Sequence, residues 1–269
     1  MRCAVLGDPI AHSLSPVLHR AGYDALGLDW GYDAVQVASG ALAAFLATTD
    51  SGWRGLSLTM PLKREAMALA DQVSGRAELV GAANTLVLVE GQVHADNTDL
   101  PGAVAALRER YDGPVRSATV LGAGATAAST GLALCELGAT RVTLLARSPE
   151  RAAETAAAVA RHPSAPEVRV GALDDVPTGE VLVSTVPASA QTPELVGRCG
   201  QVPVVFEVLY DPWPTPLAAA ADDRTLVGGL DLLVHQAALQ LEIFTGLPAP
   251  LARMREAGEA ALAERRSTP

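Results

Sequence analysis

Residues Ser117 to Leu145 place the tightest limit on what this chain can fold into. Ser117-Ala118-Thr119-Val120-Leu121 is a short apolar strand and Gly122-Ala123-Gly124-Ala125-Thr126-Ala127 follows it at once. An Ala/Leu-rich helix then runs to Gly138, and Arg141-Val142-Thr143-Leu144-Leu145 reads as a second strand. A GxGxxA pattern in that setting predicts a dinucleotide-binding βαβ unit. Gly122 permits the tight turn, Gly124 lets the backbone approach a pyrophosphate, and Ala127 lets the helix pack closely on the strand. The amides that open the helix, at Ala125, Thr126 and Ala127, would hold the phosphate. That site has to be local, because 20 basic against 30 acidic residues give a net charge of −10. The same balance argues against nucleic acid or an anionic membrane as a main partner.

The end of the second strand selects the cofactor. An NAD site usually carries Asp or Glu there for the ribose hydroxyls, whereas this chain has Ala146-Arg147-Ser148, with Arg151 one turn on. A 2′-phosphate suits a guanidinium, so the predicted cofactor is NADP(H). The plainer alternative is two surface arginines opening a solvated helix. Thr185, inside the later apolar stretch Val181 to Val186, joins the cofactor-binding candidates.

A second constraint is one of choice. The chain carries nineteen arginines and a single lysine, Lys63, in Ser57-Leu58-Thr59-Met60-Pro61-Leu62-Lys63. A guanidinium does not give up its proton near neutral pH and an ammonium can, so Lys63 is the first candidate for a catalytic acid or base. The alternative is a solvated surface lysine. Trp53 to Met60 reads as a strand, which puts Lys63 in the first turn of a following helix, at the carboxyl edge of a sheet where open α/β folds place ligands.

Elsewhere the chain alternates strand and helix, which predicts parallel βαβ units. Cys3 to Gly7 and Trp30 to Val37 read as strands. Ser15 reads as the N-cap of a helix with Pro16 at its first position, whereas Ser13 has no evident structural role. Thr85 to Val89 and Gln92 to Ala95 form a hairpin across Glu90-Gly91. The chain has two asparagines, Asn84 and Asn97, each followed by Thr. Asn97 suits a turn, and Asn84 suits a buried amide aimed at a polyhydroxylated ligand. Asp99 precedes a helix, where it can serve as an N-cap. Strands are also expected at Glu167 to Gly171, Val181 to Val186, Val202 to Tyr210 and Thr225 to Gly228, with final helices from Leu230 to Thr245 and from Pro250 to Arg265.

At 269 residues with 49% hydrophobic composition the chain can bury a substantial core as one large or two modest domains. Three scattered cysteines, Cys3, Cys135 and Cys199, indicate neither a disulfide framework nor a zinc site and fit a reducing cytoplasm. The first residues lack the apolar stretch of a leader, and no apolar run is long enough to span a bilayer.

Seven ordered motifs together resemble the shikimate dehydrogenase family over nearly the whole chain. They are Gly7-Asp8-Pro9-Ile10-Ala11-His12-Ser13-Leu14-Ser15-Pro16, Thr59-Met60-Pro61-Leu62-Lys63, Gly81-Ala82-Ala83-Asn84-Thr85, Asn97-Thr98-Asp99, the Gly122 to Ala127 turn, Tyr210-Asp211-Pro212, and Gly229 to Gln236. The resemblance implies an α/β protein of two domains. A substrate-binding catalytic domain, 1–101 completed by 230–269, would flank an inserted Rossmann-type NADP-binding domain, 102–229. It further implies that Ser13, Ser15, Thr59, Lys63, Asn84, Asp99, Tyr210 and Gln236 face the substrate. Gly229 would lie near the nicotinamide, and Lys63 and Asp99 would be the catalytic pair.

The implied activity is NADPH-dependent reduction of 3-dehydroshikimate to shikimate without a metal, in the cytoplasm, and a homodimer is compatible with it. The alternatives are an NAD-dependent quinate/shikimate dehydrogenase, an aminoshikimate dehydrogenase, or a non-catalytic NADP-binding regulator. The chain departs from the family pattern in Ser57 for a common Asn, Arg20 after His19, Ala125 for a third glycine, and Ala146-Arg147-Ser148 for Asn-Arg-Thr.

Overall fold

The structure, a computed structural model, describes residues 1–267, without the side chains of Pro149 and Ser267. By contacts the chain divides into two compact units, Met1–Thr98 with Leu233–Pro269, and Asp99–Leu232.

The first unit opens with β1 (Arg2–Gly7), α1 (Ser15–Ala25), β2 (Gly31–Gln36), α2 (Leu42–Leu46) and β3 (Trp53–Leu58). β4 (Gln72–Val73), α3 (Gly75–Val80), β5 (Thr85–Val89) and β6 (Gln92–Asp96) follow. Its strands order as β2-β1-β3-β5-β6-β4. β1 pairs in parallel with both β2 and β3, as alternation of strand and helix predicts. The parallel expectation fails at β3–β5, which is antiparallel, whereas β5–β6 is the antiparallel hairpin that the sequence predicts. That hairpin is closed locally: Glu90 and Gly91, with φ of 52° and 80°, make a two-residue turn whose left-handed backbone suits a tight hairpin. Leu6, Leu56, Leu58 and Leu86 fill the core beneath this sheet with Leu62 and Ala66.

The second unit comprises α4 (Asp99–Arg110), β7 (Ser117–Leu121), α5 (Ala125–Glu136), β8 (Arg141–Ala146), α6 (Pro149–Ala160), β9 (Glu167–Ala172), β10 (Val181–Ser184), α7 (Pro193–Arg198), β11 (Val204–Glu207), α8 (Pro216–Ala219) and β12 (Thr225–Val227). All its strand pairs are parallel, in the order β12-β11-β10-β7-β8-β9. This is the doubly wound dinucleotide-binding order, with its switch point between β7 and β10. β7, β10 and β11 are buried along almost their whole length, as strands covered on both faces must be. α9 (Gly229–Thr245) and α10 (Leu251–Ser267) complete the chain. No described helix is long and apolar enough to cross a membrane.

Two local expectations are corrected. Lys63 does not lie in the first turn of an α-helix. The Ala83 N–H donates to the Lys63 carbonyl at 2.8 Å, which removes that acceptor from a helical ladder, and only a 3₁₀ turn forms, at Glu65–Ala68. Ser15 does not cap α1 either. It lies inside the helix, the capping position falls on Leu14, and no side chain bonds there. The hydroxyl that meets the free amide is that of Ser13, which accepts from the Ser15 N–H at 3.3 Å, so Ser13 does have a local structural role.

Candidate active site

In the second unit a cleft of about 540 Å³ opens at the carboxyl ends of β7, β8 and β10. Gly122, Ala123 and Gly124 form one wall, and Ala146, Arg147, Ser148 and Arg151 line it at the end of β8 and the start of α6. The turn is pinned from several sides. Gly122 N–H donates to the Leu145 carbonyl at 2.9 Å, and the Thr185 amide and hydroxyl both donate to the Leu121 carbonyl. The Thr155 hydroxyl donates to the Ala123 carbonyl at 2.9 Å.

Gly122 sits at φ +116°, and a Cβ there would lie 2.1 Å from Thr185 Oγ1, so neither the backbone nor the space admits a side chain. Gly124 precedes α5 with no side-chain cap, which leaves the first amides of that helix available to an anion. Ala127 is fully buried, as close helix packing requires, and Ala125 and Thr126 are partly buried in the same first turn.

Among the described residues two arginines and no carboxylate line the cleft, so its donors fit a nucleotide carrying a 2′-phosphate. Arg147 is exposed, whereas Ser148 is engaged as the N-cap of α6, accepting from the Arg151 N–H and donating to Glu150 Oε2. Thr185 belongs to the lining, together with Leu173, Val186, Pro187 and Ala190, which the sequence pattern did not single out.

A buried carboxylate beyond the cleft also escaped notice. Glu207, at the end of β11, accepts from Leu209 N–H, Gln191 Nε2 and the Thr215 hydroxyl. Burial raises its pKa above the usual carboxylate range, and these neutral donors offset that only in part. Its one sequence signal is an acid interrupting the apolar run Val204 to Leu209. The backbone it fixes leads on to Tyr210 and abuts Gly229, where a Cβ would lie 2.4 Å from the Leu209 carbonyl carbon.

The first unit gathers the other candidates. Thr59 follows β3 and its amide donates to the Leu6 carbonyl at 2.9 Å. Lys63 is half-buried in the turn after it, and Ser15 is buried at the start of α1. Asn84 is buried and its side chain meets Gln236 of α9 directly, Nδ2 donating to Oε1 at 3.2 Å. The same Nδ2 donates to the Thr98 hydroxyl at 2.9 Å, and Oδ1 accepts from the Thr98 N–H at 2.7 Å and the Thr85 hydroxyl at 2.8 Å. Much of the amide expected to face a ligand is thus spent on neighbours. Asn97 donates to the Ala82 carbonyl at 2.8 Å and is structural, as its turn reading suggested.

Among the candidates, Asp99 and Tyr210 belong to the second unit, where Asp99 is the buried first residue of α4. Among the described residues no group of three or more His, Cys, Asp or Glu could hold a metal ion. Thr85 and Thr98, which stand inside the quoted motifs, and Gln240, which stands outside them, were not named as site candidates.

Known proteins resemble this arrangement along its whole length. The family model for the shikimate dehydrogenase substrate binding domain matches residues 5–86, and that for the shikimate 5'-dehydrogenase C-terminal domain matches residues 229–257. A Thermus thermophilus protein named shikimate dehydrogenase (NADP(+)) is 34% identical, over 97% of this chain and 99% of its own. Its Sphingopyxis alaskensis counterpart is 37% identical, over 93% and 92%. The crystal structure of Mycobacterium tuberculosis shikimate dehydrogenase superposes with a TM-score of 0.87 at 43% identity, covering 97% of this chain and 99% of that one. The crystal structure of a Thermus thermophilus shikimate 5-dehydrogenase in complex with NADP(H) and shikimate gives 0.86 at 32% identity, covering 97% and 99%. A parallel sheet in the dinucleotide-binding order, a glycine turn opening into a cleft with two arginines, and full-length similarity of this degree lead to one statement: the chain belongs to the shikimate dehydrogenase family.

Proposed function

We propose that this protein catalyses the reversible, NADPH-dependent reduction of 3-dehydroshikimate to shikimate in the cytoplasm. The observation that carries the reading is the cleft at the switch point of the second unit, lined by Arg147 and Arg151 with no acid among the described residues. It sits in a chain that relatives named shikimate dehydrogenase (NADP(+)) match end to end. Three buried, unbridged cysteines accord with a reducing compartment.

The domain assignment is residues 1–101 with 230–269 for substrate and 102–229 for cofactor. NADPH supplies the hydride when bound. The chain's own part is to meet the charge that develops on the ketone oxygen. Lys63, as an ammonium, hydrogen-bonds that oxygen and gives it a proton as the carbon receives hydride, and solvent later returns the proton to the amine. The Asp99 carboxylate acts as its partner and keeps the side chain oriented. Ser13, Ser15, Thr59, Asn84, Tyr210 and Gln236 hold the substrate carboxylate and hydroxyls, and Gly229 lies by the nicotinamide.

A four-way assay of purified protein, shikimate or quinate with NADP⁺ or NAD⁺, tests the reading. Shikimate with NADP⁺ should give the highest kcat/KM. Faster turnover of quinate with NAD⁺ would replace it with the quinate dehydrogenase alternative, and no turnover of any pair would leave the regulator.

A further inference from the structure

The first unit buries a line of polar side chains that the reaction does not use. Tyr32 on β2, Ser57 on β3, Thr85 on β5 and Gln240 on α9 are at most 4% exposed. Tyr32 OH donates to Ser57 Oγ at 2.5 Å, and Ser57 Oγ donates to Gln240 Oε1 at 2.8 Å. Gln240 Nε2 donates to the Asn84 carbonyl at 2.9 Å and to Thr85 Oγ1 at 3.0 Å. Thr85 Oγ1 donates to Asn84 Oδ1, Asn84 Nδ2 donates to Gln236 Oε1, and Gln236 Nε2 donates to the Leu233 carbonyl at 2.9 Å.

Backbone groups fix the sense of the line. A carbonyl only accepts, so Asn84 C=O forces Gln240 to turn its NH₂ inward and its oxygen toward Ser57. Ser57 must then donate to that oxygen and accept from Tyr32. Burial pushes the Tyr32 phenol well above its ordinary range, which keeps the proton this requires. At the other end the Leu233 carbonyl and the Thr98 N–H orient Gln236 and Asn84 independently, in agreement with the rest. Turning any one amide over would set two donors or two acceptors against each other in a buried space, where unpaired polar groups are costly.

We propose that Gln240, backed by Ser57 and Tyr32, is a positioning residue that holds Asn84 and Gln236 in the single amide orientation that binds substrate. The inference rests on the assignment of Asn84 and Gln236 to the substrate. It also gives a role to Ser57, the departure from the family's usual Asn, whose hydroxyl links Tyr32 to Gln240.

The test compares steady-state constants of Gln240→Met, which keeps the volume and removes the hydrogen bonds, with Gln240→Glu, Ser57→Ala, Ser57→Thr and Gln236→Leu. Both Gln240 variants should raise KM for shikimate about five- to tenfold, the scale of one lost buried hydrogen bond, and leave KM for NADP⁺ within about twofold. Ser57→Ala should shift the same constant in the same direction, and Ser57→Thr should restore it. Ser57→Ala combined with Gln240→Met should be no worse than Gln240→Met alone, because both cut the line at one place. Folded Gln240→Met or Gln240→Glu with an unchanged KM for shikimate would overturn the proposal, and so would equal rises in both KM values tracking a lowered Tm. Gln236→Leu separates the two layers. If it raises KM for shikimate while the Gln240 variants do not, the positioning role alone is wrong; if it has no effect, the substrate assignment beneath it fails too.

Discussion

The two units arrange their polar groups with different materials. The second builds its cleft from backbone: a glycine turn with no room for a Cβ, uncapped helix amides, and two arginines at the rim. The first builds from side chains, with Asn84, Thr98, Thr85, Gln236 and Gln240 satisfying one another in a buried mesh. A backbone site is fixed by the fold and is sensitive to any added atom. A side-chain site is fixed by hydrogen-bond complementarity and is sensitive to any atom removed or exchanged. Loss in the first unit should therefore fall on turnover and substrate, and loss in the second on cofactor affinity.

The largest expected effect is at Lys63. Lys63→Ala should lower kcat about 10²–10⁴-fold, the usual contribution of a positioned general acid, with a smaller change in KM for shikimate. Lys63→Arg should fare little better, because a guanidinium keeps its proton and differs in shape. Near-normal kcat in Lys63→Arg would reduce the side chain to a charge and move this part of the site toward the second unit's style.

Gly122→Ala should be the worst small change in the second unit. A left-handed backbone without glycine costs about 1–3 kcal/mol, so the Kd for NADP⁺ measured by calorimetry should rise roughly 10- to 100-fold. Trimming Thr185 to Ala in the same chain should not restore it, since the φ of +116° remains. Full recovery would show that crowding, not backbone, makes the site.

Arg147→Ala should raise KM for NADP⁺ on the order of tenfold, a charged hydrogen bond of about 1.5–3 kcal/mol, and hardly alter turnover with NAD⁺. Equal losses with both cofactors would remove Arg147 from phosphate recognition.

A further effect is read by pH, and it bears on stability, not on turnover. His19 is buried on α1 and stacks on Tyr32 at 4.1 Å between ring centroids, and burial pulls its imidazole down to about 3. Unfolded, it titrates near the ordinary value of 6.5. Below that value the unfolded chain takes up a proton the folded one refuses, so stability is complete above pH 6.5 and falls by about 1.4 kcal/mol per unit as pH drops toward 3. His19→Phe should flatten this stretch of the denaturation midpoint against pH; an unchanged slope would assign the acid sensitivity elsewhere.

Legibility in the sequence followed the same division. The Gly122 turn, Arg147 and the Glu90-Gly91 hairpin were readable because their physics is local: a backbone angle, a helix start, a strand end. Lys63 stands out by composition alone, as the one lysine among nineteen arginines, whereas its setting does not. The Ala83 amide that keeps it out of a helix comes from twenty residues away in the chain. The reversal of the first sheet after β3, the short β4 and α3, and the roles of Thr98, Thr85 and Gln240 depend on which strands and helices meet. No single window of sequence carries that information. Glu207 showed only as an acid in an apolar strand, and its partners Gln191 and Thr215 gave no sign of it.

A line of hydrogen bonds that runs in one sense also shapes how this protein can evolve. Ser57 and Gln240 stand 183 positions apart and share one bond. Removing the hydrogen-bonding group of either alone strands its partner in a buried space, and a single replacement avoids that only if it keeps the group, as Ser57→Thr does. The two positions should therefore behave in descent as a single character, absent or present together, and lineages crossing between states should pass through a compensating change at Thr85 or Tyr32.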